Sequence, residues 1–140
     1  MKYDIAIIGY GDLGEEIVAA LERYELGLCL LTSERRRIDR AAEDGCDRIY
    51  RFDVVEIERM SRYYAIHPKQ GETVFARMVV DCYGTASDRE QTVSEADGFR
   101  IGRNEDIFTV TVTDEAELCA VAEEVRRVLT EDLVSLTERV

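Results

Sequence analysis

The sequence predicts an α/β fold, a single domain with a doubly wound, mainly parallel sheet and a long C-terminal helix. Three observations carry that prediction. Short apolar, β-branched runs alternate with amphipathic stretches of helical period. A strand, a glycine turn, a helix and a second strand follow one another within the first ~35 residues. The last stretch, from Asp114 to Arg139, holds one uninterrupted apolar stripe at helical spacing.

Tyr3 to Ile8 (YDIAII) is short, apolar and β-branched, as suits a strand buried on both faces, and Gly9 ends it. From Asp12 to Tyr24 the residues Leu13, Ile17, Ala20, Leu21 and Tyr24 recur at helical spacing, so a helix is expected there, closing near Gly27. Leu28 to Thr32 is the second strand. Its connection to the first makes a βαβ unit, whose right-handed crossover requires parallel strands. A polar helix is expected from about Glu34 to Asp44, and a third strand from Arg48 to Phe52 with Asp53 at its end.

Residues 54–76 are the least legible. A helix from about Val54 to Tyr64 is expected, followed by an extended or hairpin piece around Pro68 to Phe75. Met78 to Tyr83 is the clearest later strand. Ser87 and Glu90 have capping-box spacing, which predicts a helix from Asp88 to about Ala96. Ile107 to Val112 is the next strand. The final helix carries Leu118, Val121, Val125, Val128, Leu133, Leu136 and Val140 on one stripe. It reaches the domain edge, which predicts a homodimer through this helix; the alternative is a break near Thr130.

Composition narrows the function. A chain of 140 residues is the size of one domain, and residues 1–140 are taken as one. The net charge of −12 argues against general affinity for nucleic acid, although a local basic patch stays possible. No apolar stretch approaches the ~20 residues of a membrane span, so no membrane insertion is expected. The N-terminal run lacks the form of a signal peptide, and a cytoplasmic location is expected. Cys29, Cys46, Cys82 and Cys119 are widely spaced, and His67 is the one imidazole. They predict free, mostly buried thiols and no metal site.

Gly9, Gly11 and Gly14 in GYGDLG match G-x-G-x-x-G between a predicted strand and a predicted helix, the context in which that spacing has meaning. Gly9 permits the tight turn after the strand. Gly11 lets a pyrophosphate approach the backbone past Tyr10, and Gly14 lets helix and strand pack closely. The N–H groups of Asp12 and Leu13 would then point at the phosphates, aided by the helix dipole. The Asp12 carboxylate is awkward there, and two arrangements stay open, pointing away or folding over the turn.

The end of the second strand supplies the groups that meet the adenosine ribose. An NAD site carries an acid there. This chain has Thr32 and Ser33, then Glu34 and Arg35. A hydroxyl followed by guanidinium groups suits a 2′-phosphate, which favours NADP; Glu34 on the ribose would favour NAD instead. Asp53 is a candidate for the adenine, and Tyr83, Gly84 and Thr85 for the nicotinamide half. No complete acid–base constellation stands out, so no catalytic residue is assigned.

Those glycines and their setting resemble the nicotinamide-binding Rossmann domains of dehydrogenases. Over nearly the whole chain, with Asp53 closing the third strand and CYGTASDRE from Cys82 to Glu90, the layout is also similar to the nucleotide-sensing domain of potassium-transport regulators, the TrkA-N type. Either resemblance implies binding of a dinucleotide or nucleotide. Three functional readings follow: an NADP-dependent oxidoreductase subunit completed by a partner or by dimerisation, a non-catalytic sensor, or a scaffold that retains only the fold.

Overall fold

In the computed structural model of the chain, residues 2–9, 11–24, 26–31, 48–50, 54–68, 71–82, 90–113 and 115–138 are described. The sheet is built around β1 (Lys2–Ile8), which pairs in parallel with β2 (Leu28–Leu31) on one side and β6 (Val74–Asp81) on the other. Outside them β3 (Arg48–Tyr50) lies parallel to β2, and β9 (Ile107–Val112) parallel to β6. The parallel order is therefore β3-β2-β1-β6-β9, with the reversal of winding between β1 and β6.

The apolar runs are continuous because both faces of these strands are covered. Ile5, Ile7, Leu28, Leu30, Met78 and Val80 belong to one buried cluster; Ala6, Ile8, Cys29, Leu31 and Val79, the residues between them, belong to the other. Two helices complete the first cluster. They are α1 (Gly11–Leu21), which continues into a short 3-10 turn (Glu22–Tyr24), and α2 (Leu118–Glu138). Leu13, Ile17, Val18 and Leu21 of α1 meet Val121, Ala122, Val125 and Leu129 of α2 in that cluster. Each of the valine, leucine and isoleucine side chains among them, fully buried, contributes ~1.5–3 kcal/mol relative to exposure.

The other face is closed differently from the sequence expectation. Where a helix from Val54 to Tyr64 was expected, β4 (Val54–Arg59) and β5 (Tyr64–Pro68) form an antiparallel hairpin, turning at Met60 to Tyr63. The run VVEIER is rich in β-branched residues, which lose χ1 freedom in a helix and suit a strand. β5 continues antiparallel onto the first half of β6, so the extended hairpin piece around Pro68 is present. Tyr64 and Ile66 of β5 pack with the second cluster, joined by Ile57 of β4.

A second correction falls on the helix expected from Asp88 to Ala96. Residues 91 to 96 are instead β7 (Gln91–Ala96), paired antiparallel to β8 (Phe99–Asn104), which pairs antiparallel to β9. Glu90 does not cap a helix. Its carboxylate is 2 % exposed and accepts a hydrogen bond from Arg100 Nη1 at 2.8 Å, across the sheet. The last helix begins at Leu118 rather than Asp114, after Ala116 N–H donates to the Thr113 carbonyl. It then runs unbroken through Thr130, whose hydroxyl donates to the Arg126 carbonyl at 3.0 Å. The helix expected over Glu34 to Asp44 lies outside the described residues.

Candidate functional site

The ends of β1, β2 and β6 meet at one edge of the sheet, its carboxyl edge. Gly9 N–H donates to the Leu31 carbonyl at 3.1 Å, and Cys82 N–H donates to the Ile8 carbonyl at 2.6 Å. The chain leaves this edge at the three places where the sequence puts candidate residues: after Ile8, after Leu31 and after Asp81.

Gly9 is held where no other residue fits. Its φ is +131°, and a Cβ there would lie 2.8 Å from Cys82 Cβ and 3.2 Å from the Cys82 Cα and carbonyl carbon. The backbone of β1 thus turns against that of β6 with no clearance, and α1 begins two residues later, at Gly11. Gly14, one turn on, faces Leu30 and Ile7; a Cβ there would meet Leu30 Cδ1 at 3.0 Å. First and third glycines therefore have the steric roles that their spacing predicts. Leu13 buries its side chain in the core while Asp12 is exposed on the first turn of α1, so the Asp12 carboxylate does not enter the protein interior.

Tyr10, Thr32, Ser33, Glu34, Arg35, Asp53, Tyr83, Gly84 and Thr85 lie outside the described residues, as does Cys46. The described residues that precede them, Gly9, Leu31 and Cys82, are the ones joined at the carboxyl edge. His67 is elsewhere. It sits on β5 past the pair Ile66 and Val74, at the amino end of β6, with Nδ1 3.0 Å from Thr73 Oγ1.

Two buried groups lie near the turn, of which Glu15 was not singled out from sequence and Cys82 was expected only as a buried thiol. Glu15 is buried on α1, only 5 % exposed. The spacing Gly11, Glu15, Val18 is i, i+4, i+7, and this signal places Glu15 on the stripe that descends from the turn. Cys82 lies directly beneath Gly9 and is fully buried; burial, with the Asp81 carboxylate beside it, pushes the thiol pKa far up, so it remains a neutral SH. Cys29 is likewise a buried free thiol, whereas Cys119 is an exposed one. No helix among the described residues is long and apolar enough to cross a membrane.

No protein-family model and no curated protein matches the sequence. Solved structures do match the fold. A protein described as a thioredoxin reductase from Bacillus anthracis superimposes with a TM-score of 0.51 at 17 % identity, over 68 % of this chain and 40 % of its own. A thioredoxin reductase from Streptococcus pyogenes gives 0.50 at 15 % identity, over 68 % of this chain and 38 % of its own. A variant flavin monooxygenase from Stenotrophomonas maltophilia gives 0.51 at 12 % identity, over 69 % and 44 %. The chain thus spans about two fifths of the length of these structures. What it shares with them is the α/β, Rossmann-like fold.

Proposed function

We propose that the chain binds a dinucleotide at the carboxyl edge of its sheet, NADP in preference to NAD, and serves as the cofactor-holding subunit of an oxidoreductase. The observation that carries this reading is the turn at Gly9. Its closed packing against β6 directs the start of α1 to the point where the winding of the sheet reverses. On this reading the N–H groups of Asp12 and Leu13 hold the pyrophosphate, and Gly11 leaves room for it. Ser33 and Arg35 meet the 2′-phosphate of NADP. Tyr83, Gly84 and Thr85 border the nicotinamide, and Asp53 the adenine. The cofactor supplies hydride chemistry, while the protein orients it and a second copy or another chain completes the substrate side.

The fold is shared with proteins named as thioredoxin reductases and with one named for its flavin. FAD therefore stands beside NADPH and NADH in the test, which is a calorimetric titration of the intact chain. NADPH is expected to bind roughly ten- to a hundredfold more tightly than NADH, the difference of one charge-assisted phosphate contact. Gly11→Val should weaken the dinucleotide well over tenfold without unfolding the protein. The pair Ser33→Asp with Arg35→Ala should reverse the preference. Unaltered binding by Gly11→Val would remove the site assignment, and tighter binding of NADH by the parent would put Glu34 on the ribose. Tighter binding of FAD than of either nicotinamide cofactor would replace the cofactor.

A further inference from the structure

One opening among the described residues lies far from the glycine turn. A cavity of about 690 Å³ lies at the amino edge of the sheet, lined by Lys2, Tyr3 and Asp4 of β1, by Ser61, Arg62 and Tyr63 of the β4–β5 turn, and by Phe75, Ala76 and Arg77 of β6. Lys2 and Gly9 are seven residues apart along one strand, ~23 Å, so the two places are separate. The volume is in the range of small-molecule sites.

Its charge opposes that of the protein. Lys2, Arg62 and Arg77 face one carboxylate, Asp4, leaving a formal excess of two positive charges in a chain of net charge −12. Asp4 is partly occupied, because its Oδ2 accepts the Gly27 N–H at 2.8 Å. Among the described residues neither Arg62 nor Arg77 forms a salt bridge, although the nearby Arg59 pairs with Glu105. In a sequence with 30 acidic side chains to 18 basic ones, two guanidinium groups lining one cavity without a carboxylate partner are donors that await one.

An apolar wall stands beside the cations. Tyr63 and Phe75 meet edge to face, with ring centroids 5.6 Å apart, and the Lys2 ammonium lies 4.7 Å from the Tyr63 centroid. That cation–π contact holds Lys2 at the rim rather than free in solvent. We infer that this cavity binds a small aromatic anion, its negative head between Arg62, Arg77 and Lys2 and its ring against Tyr63 and Phe75. The head is a phosphate or a carboxylate, since both accept paired bonds from guanidinium.

Titration of the intact chain with phenyl phosphate, benzoate and the neutral benzamide, followed by NMR, tests this. At least one anion should bind about tenfold or more tightly than benzamide, and added salt should weaken it. The tighter of the two anions identifies the head group. Arg62→Gln, in an exposed turn where folding is safe, and Arg62→Gln combined with Arg77→Gln should weaken that anion progressively, by about tenfold or more for the pair. Gly11→Val should leave it unchanged. Equal binding of benzamide, indifference to the arginine variants, or loss of binding in Gly11→Val would each overturn the inference; the last would place the anions at the glycine turn.

Discussion

Gly9 and Gly14 belong to one motif, yet their surroundings predict unequal tolerance. At Gly9 an added methyl meets the Cys82 backbone and Cβ, which are fixed by β6, and the φ of +131° is itself unfavourable for any L side chain. At Gly14 the obstacle is Leu30 Cδ1 at 3.0 Å, the end of a side chain that can turn aside. Gly9→Ala should therefore lose about 2–4 kcal/mol of unfolding free energy, and Gly14→Ala about 1 kcal/mol or less. Urea denaturation of the two variants checks this, and equal losses would show that β6 yields where the geometry says it is fixed. The glycine spacing was legible in sequence because a turn of this kind constrains backbone in a fixed pattern. The obstacle itself was not, because Cys82 is brought there by a strand more than seventy residues away.

At the scale of elements, the hairpin of β7 and β8 depends on one carboxylate. Glu90 lies flat over Gly102, so closely that a Cβ on Gly102 would coincide with its Oε1, and from there it pairs with Arg100. Gly102→Ala must expel Glu90 and leave Arg100 without that partner, a loss of about 2–4 kcal/mol. Adding Glu90→Ala removes the obstacle, so the double variant should be more stable than Gly102→Ala alone; thermal unfolding of the three proteins reads this non-additivity directly. A double variant no more stable than the single one would mean that Glu90 is not what occupies the space. The same residue explains a misread element. Ser87 and Glu90 have the spacing of a helix cap, a local signal, whereas the Glu90–Arg100 pair spans ten residues and exists only once β7 and β8 have paired. Val54 to Tyr64 was misread for a related reason: its β-branched residues favour a strand only weakly, and the pairing of β4 with β5 that fixes it is not a local signal. β1, β2 and the second half of β6 were legible because burial on both faces writes itself into the sequence as an apolar run, and β9 (IFTVTV) because its threonines alternate with apolar residues.

At the scale of the whole molecule, α2 raises the question of assembly. Its 21 residues at ~1.5 Å each span ~31 Å, against a radius of gyration of ~14 Å for a compact chain of this length. The first half of the helix is accounted for: Val121, Ala122, Val125 and Leu129 are buried against α1 and the sheet. Its polar side is engaged with itself and with the 3-10 turn, through Arg126 to Glu123 at 2.8 Å, Arg127 to Glu124, and Arg126 Nη1 to the Tyr24 hydroxyl at 3.2 Å. Because the helix continues through Thr130 without a break, the sequence stripe extends to Leu133 and Leu136 in helical register. An apolar stripe in that position is stabilised by a partner, and a two-fold pairing of identical helices is the simplest closed arrangement. The expected outcome is a dimer by sedimentation equilibrium at ~100 μM, a concentration that reveals even a micromolar association. Leu133→Glu with Leu136→Glu should yield a monomer that remains folded, with Val121, Val125 and Leu129 unaltered, as thermal unfolding checks. A parent that sediments as a monomer, or a variant that keeps the assembly of the parent, would exclude the helix as the contact; a dimer that the variant dissociates would supply the second copy with which the proposed subunit completes its site.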